Sequence, residues 1–184
     1  MLLLGADRRW DALSHHTLFF SGDYRREFQD IFQRKVMPDD PTIYVANTSH
    51  TNPTHAPVGG SNLFVLVNAP YLSAEWDWEE HAGSYEEHII RQLEERGLER
   101  LGESIEYRER ITPLDFYRRF RSRRGSIYGT SSNSRRAAFM RPRNKSRHVE
   151  GLYLAGGSTH PGGGIPLVLQ SAFNATELIR RYEE

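Results

Sequence analysis

A chain of 184 residues with 38% apolar side chains is long enough to bury a core and falls in the size range of one domain, or of one domain and part of another. It contains no cysteine, which excludes a disulfide scaffold, a thiol nucleophile, a thiolate zinc site and an iron–sulfur cluster. The formal net charge of zero hides an asymmetry: residues 108–147 hold 13 basic and two acidic side chains, and the rest of the chain holds 11 and 22.

Arginine supplies 22 of the 24 cations, a choice suited to bidentate contact with carboxylate or phosphate. The longest apolar run, Leu63 to Val67, is far shorter than the roughly 20 residues of a membrane-spanning helix. Met1-Leu2-Leu3-Leu4 is too short for a signal peptide.

In chain order, Leu2-Leu3-Leu4-Gly5 reads as the end of a buried strand with no partner ahead of it, so that upstream sequence is expected to be missing. His15 to Ser21 leans towards β structure. Asp23 to Arg34 has the spacing of an amphipathic helix with Tyr24, Phe28, Ile31 and Phe32 on its apolar side, closed by Pro38-Asp39-Asp40-Pro41. Thr42 to Asn47 and Asn62 to Asn68 read as strands separated by a polar loop over 48–60. Ser84 to Arg96 is a predicted helix with Tyr85, His88, Ile89 and Leu93 on one face, stopped by Gly97. Ser104 to Ile111 alternates like a strand. Thr112-Pro113-Leu114-Asp115 is a helix start, with Thr112 as cap, Pro113 in the first turn and Asp115 at the positive end. That helix is expected to run to about Arg121, and residues 125–149 to be an extended, loop-rich crossing.

The last segment reads as a short buried strand over Gly151 to Ala155, a glycine-rich turn over 156–164, and a buried helix from Pro166 to Tyr182. No internal repeat is present. The expected fold class is α+β: one mixed or antiparallel sheet with flanking helices in residues 1–125, and a strand and helix in 126–184 that dock elsewhere.

Residues 156–164 contain five glycines, more than a reversal needs, since each adds chain entropy that folding must overcome. One reading is that a group approaches the backbone closely there. The helix after Pro166 offers the free N–H groups of Ile165, Leu167 and Val168 and its positive dipole end, which favour an electron-rich or anionic ligand. The equal alternative is a tight strand-to-helix connector packed against a sheet.

The run Gly151-Leu152-Tyr153-Leu154-Ala155-Gly156-Gly157-Ser158-Thr159-His160-Pro161-Gly162-Gly163-Gly164-Ile165-Pro166-Leu167-Val168-Leu169-Gln170-Ser171-Ala172 resembles the carboxyl-terminal signature of bacterial-type phytoene desaturases and their carotenoid-oxidising relatives. The resemblance continues through Phe139-Met140-Arg141-Pro142-Arg143-Asn144, Thr112 to Phe116, Gly125 to Gly129, Ala69-Pro70 and His15-His16-Thr17. It implies an FAD-dependent flavoprotein that dehydrogenates a long polyene hydrocarbon by hydride transfer to flavin, with a related oxidase or isomerase as alternatives. Residues 1–125 would belong to its substrate-binding domain and 126–184 to its Rossmann-like FAD-binding domain. The amino-terminal half of such a domain carries a G-x-G-x-x-G turn, which is absent from this sequence. The chain is therefore expected to be the carboxyl-terminal portion of a longer enzyme, inactive alone and prone to self-association.

By the same resemblance, Gly156, Gly157, Ser158 and Thr159 would lie along the ribityl chain, through backbone contacts. Gly163, Gly164, Ile165, Pro166 and Leu167 would lie beside the isoalloxazine ring, where a helix amino terminus favours the negative charge of reduced flavin. No catalytic residue is assigned, and His160 is read as a hydrogen-bonding turn residue. No metal is expected, because the adjacent His15 and His16 would point to opposite faces of a strand and no carboxylate completes either them or His50 and His55. No G-x-S-x-G elbow is present. The arginine-rich stretch could mark a module binding nucleic acid or an anionic surface. It lacks a nucleic-acid motif and alternates with Phe116, Tyr117 and Phe120, so solvated and internally paired arginines are the leading reading, and contact with an anionic membrane surface the next. No nucleic acid is expected. The resemblance implies a cytoplasmic protein peripheral to a membrane.

Overall fold

The computed structural model describes residues 1–129 and 141–183, and the chain divides into two compact units, 1–125 and 126–184. The motif residues Phe139 and Met140, with Arg135 and Arg136 of the basic stretch, lie outside the described residues.

The first unit is α+β. Its strands β1 (Leu2–Ala6), β2 (His16–Phe19), β3 (Ile43–Asn47), β4 (Ser61–Val67) and β5 (Ile105–Arg110) form one antiparallel sheet in the order β2-β3-β4-β1-β5. The opening strand is therefore not unpartnered. It lies between β4 and β5, with Leu2, Leu3 and Leu4 opposite Val65, Phe64 and Leu63 on one side. Its partners come from later in the chain, which local pattern cannot reveal.

One sheet face is the core. Leu2, Leu4, Ile43, Val45, Leu63 and Val65 are buried against Ile89, Ile90 and Leu93, which lie on the helix Trp78–Glu95. That helix starts six residues earlier than the apolar spacing indicates, because Asp77 caps it by accepting from the N–H groups of Glu79 and Glu80. The loop over 48–60 contains two short helical turns, Thr48–Thr51 and Pro53–His55.

The expected amphipathic helix over 23–34 needs correction. It is an α-helix, Tyr24–Gln29, continued by a π-helical turn, Asp30–Arg34, and it presents Tyr24, Phe28 and Phe32 to solvent. Glu27, Asp30 and Ile31 are buried instead. Glu27 is drawn inward because Thr42 donates to it through both its N–H (3.1 Å) and its hydroxyl (2.7 Å), and Ser21 through its hydroxyl (3.0 Å). Three donors compensate the buried carboxylate, and the aromatic side is turned outward.

The second unit contains one long helix, Ile165–Glu183, and two expectations fail there. Residues 151–155 form no strand: Tyr153 makes a single bridge to Lys145, with Ser146 and Leu154 donating to Leu152 and Asn144. Gly151 stands at a positive φ of 68°, outside extended conformation, and one bridge makes no ladder. The long helix is also not buried. Its inward side has Ser171 and Ala175, small residues that allow close approach, while Leu169 and Phe173 are 57% and 68% exposed.

Candidate functional site

In the second unit, the glycine turn is held by three polar side chains. Asn144 is buried, and its amide nitrogen lies 3.0 Å from the carbonyl oxygens of both Leu154 and His160 and 2.9 Å from Ser171 Oγ. Ser171, fully buried, accepts in turn from the Gly156 N–H at 3.1 Å. Arg141 donates to the Gly157 carbonyl at 3.2 Å and packs on Gly162, where an added Cβ would meet its Nε at 3.2 Å. These bonds fix the turn to the middle of the helix and leave its last residue, Gly164, uncovered.

The residues assigned from sequence divide into two groups. Thr159 is buried and committed within the chain: its hydroxyl donates to the Pro142 carbonyl at 2.6 Å and its N–H to that of Gly156 at 3.3 Å. Gly163 lies under the ring of Tyr128, 2.5 Å from where its Cβ would stand. Ser158 packs beside Gly129. By contrast Gly164, at φ +96°, has no atom within 4 Å of its absent Cβ, and Ile165, Pro166 and Leu167 are exposed beside it. The Val168 N–H, expected to be free, donates to the Gly164 carbonyl at 2.9 Å, but among the described residues nothing accepts from the N–H groups of Ile165 and Leu167, so the helix start presents two unpaired donors to its surroundings. His160 enters the network through its backbone only, donating to Pro142 at 2.9 Å.

Arg141, Asn144 and Ser171 stand within the motifs that carry the resemblance but were assigned no site role there. The one local signal was Ser171, a polar residue between Val168 and Ala175 on a helix side otherwise apolar or small.

In the first unit, the sheet face turned away from Trp78–Glu95 is open. Strand pairing places His16, Ala46 and Phe64 in one row with Leu3, and Leu18, Tyr44 and Leu66 in the next. Leu18 is 53% exposed, and Tyr44, Phe64, Leu66 and Leu3 are half-buried. The His16 ring stacks at 6.0 Å on Tyr44, which meets Phe64 edge-on at 6.4 Å. His16 Nδ1 and the Tyr44 hydroxyl share a hydrogen bond of 2.7 Å, and His15 Nδ1 shares one of 2.6 Å with Thr51 Oγ1. Among the described residues, no three histidines and carboxylates gather as a metal site would require.

Four arginines of the basic stretch are paired with carboxylates inside the unit. Arg110 and Arg108 flank the buried Glu86, Arg108 also bonds Glu87, Arg118 bonds Glu79 and Arg119 approaches Glu109 at 3.8 Å. Arg124 lies 5.0 Å from the centre of the Tyr71 ring. No helix among the described residues is long and apolar enough to cross a membrane.

A scan against models of known protein families finds none that matches. The chain is similar to the 4,4'-diaponeurosporene oxygenase of Staphylococcus haemolyticus (strain JCSC1435), 36% identical over 180 residues that make up 98% of this chain and 36% of the relative. It is similar also to that of Staphylococcus aureus (strain MSSA476), 37% identical with the same coverage. The chain thus spans about a third of the length of the curated relatives it matches.

Proposed function

We propose that this chain supplies part of a flavin-dependent oxidoreductase acting on a carotenoid polyene. The similarity along 98% of the chain to enzymes named as oxygenases of 4,4'-diaponeurosporene carries this reading. It favours oxidation of the polyene over desaturation of a phytoene-type hydrocarbon, which the signature over 151–172 also allows. The open sheet face supports it, because Leu18, Leu66, Phe64 and Leu3 offer a continuous hydrocarbon surface of the kind a long apolar substrate wets.

The residues of the second unit fit FAD in part. The open side of Gly164 and the unpaired donors of Ile165 and Leu167 suit the electron-rich edge of a flavin ring, with Gly163 and Pro166 shaping the backbone there. Thr159 would support the turn from within, and Gly156, Gly157 and Ser158 remain as the backbone along a ribityl chain. A bound flavin would supply two-electron acceptance. The chain's own part is to orient backbone donors at a helix start, where negative charge is stabilised, and to exclude water with apolar side chains. A substrate this insoluble is reached from a membrane surface, so peripheral contact with a membrane by a cytoplasmic protein belongs to the same reading.

The test is a chimera in which this chain replaces the matched 180 residues of the S. haemolyticus oxygenase. The expected product is yellow, retains FAD through gel filtration and consumes 4,4'-diaponeurosporene. A folded chimera that holds no flavin would remove the cofactor assignment, and one that holds flavin but leaves the polyene untouched would remove the substrate assignment.

A further inference from the structure

The open sheet face of the first unit is apolar along two rows, Leu18 to Leu66 through the Tyr44 ring, and Ala46 to Leu3 through Phe64. The polar pair among them is His16 and Tyr44, hydrogen-bonded at 2.7 Å. Polar ground continues from it through the His15 ring 4.4 Å away and its bond to Thr51, while the opposite side of the face ends on Asn62 and Glu109, which pair with Gly5 and Leu3. Neither side chain of the pair serves the core, which lies on the other face of the sheet.

The pair retains a hydrogen-bond donor whichever neutral tautomer His16 adopts. If the Tyr44 hydroxyl donates to Nδ1, the proton of His16 is on Nε2 and is free to donate. If Nδ1 carries the proton and donates to Tyr44, the phenolic O–H is free. A donor at the end of a hydrocarbon floor recognises an oxygen at the end of an elongated apolar molecule. It gives nothing to the same molecule without that oxygen.

We propose that His16 and Tyr44 bind a hydroxyl or carbonyl oxygen at one end of a polyene laid along the open face, so that this face distinguishes an oxygenated polyene from its parent hydrocarbon. The proposal rests on the polyene reading above and goes beyond it in assigning a polar terminus to the site. A site that hydrogen-bonds an oxygen favours the ligand that carries it over the analogue that lacks it.

The test uses the full 184-residue chain, with all-trans-retinol and axerophtene, the same polyene without its oxygen, as probes. Binding is read from quenching of tryptophan fluorescence in detergent micelles. The wild-type chain should bind retinol about tenfold more tightly than axerophtene, and Tyr44→Phe and His16→Phe should each lose most of that preference, as expected for one hydrogen bond. Axerophtene affinity and melting temperature should not change. An equal loss for both probes would make the pair a packing element and overturn the proposal, as would an undiminished preference for retinol in both variants. A wild-type chain that binds neither probe would overturn the polyene reading and this proposal with it.

Discussion

Gly164 stands at φ +96° with nothing within 4 Å of its missing Cβ, so the constraint on it is backbone conformation together with whatever occupies the space outside. A β-branched residue there strains the turn by about 1–3 kcal/mol and fills the opening beside the unpaired donors of Ile165 and Leu167. In the flavin-bearing chimera, Gly164→Val is expected to lower the flavin-to-protein absorbance ratio severalfold. His160→Ala should leave it near wild type, because His160 takes part through its N–H and carbonyl. A valine variant with full flavin content would reduce the glycine turn to a connector. Gly163 is constrained differently: the Tyr128 ring occupies the place of its side chain, so its role is packing, and sequence alone had assigned it the same role as Gly164.

At the scale of elements, the helix Pro113–Phe120 shows what a local signal can specify. Thr112 and Asp115 form a reciprocal capping box, the Asp115 N–H donating to the Thr112 hydroxyl oxygen and the Thr112 N–H to the Asp115 carboxylate at 2.8 Å. Partial burial pushes the Asp115 carboxyl up, but the bonds from Thr112, with Arg119 and Arg118 nearby, outweigh it and hold the group below its ordinary range. A carboxyl depressed in the folded state contributes stability above its unfolded value and loses it as pH falls through the folded value. Thr112→Ala should therefore cost about 1 kcal/mol at neutral pH, less in acid, and return the Asp115 carbon-13 titration towards the ordinary aspartate range. An unmoved titration would show that the Thr112 hydroxyl is not what holds it, since the Thr112 N–H remains in the variant.

This cap was legible because all its atoms come from four consecutive residues. The existence of the glycine-rich run and of the strands near 43, 61 and 105 was legible because composition and alternation are local too. The central place of Leu2–Ala6, the outward aromatics at 24, 28 and 32, and the His16–Tyr44 pair were not legible, since each depends on a partner tens of residues away: on register with Val65, on Thr42 drawing in Glu27, and on the pairing of Leu18 with Tyr44. Periodicity found a helix over 23–34, and the bonds that Thr42 and Ser21 make to Glu27 hold its polar side inward.

For the whole molecule, the consequence lies in the helix Ile165–Glu183. Ile165, Leu169 and Phe173 succeed one another at intervals of four and are 80%, 57% and 68% exposed. They form one outward stripe opposite the small, buried Ser171 and Ala175. A contiguous apolar patch of this kind is rarely left in water. At about 25 cal/mol per Å2, covering a few hundred Å2 of it is worth several kcal/mol, enough to offset part of the entropy lost when two chains associate. The 184-residue chain is therefore expected to self-associate, with a sedimentation coefficient that rises with concentration, and Leu169→Gln with Phe173→Gln should return it towards monomer without lowering its melting temperature. Neither residue supports the Asn144–Ser171 network, so the unit should keep its fold. A wild-type chain that sediments as a monomer across the same concentrations would show that this stripe does not drive association.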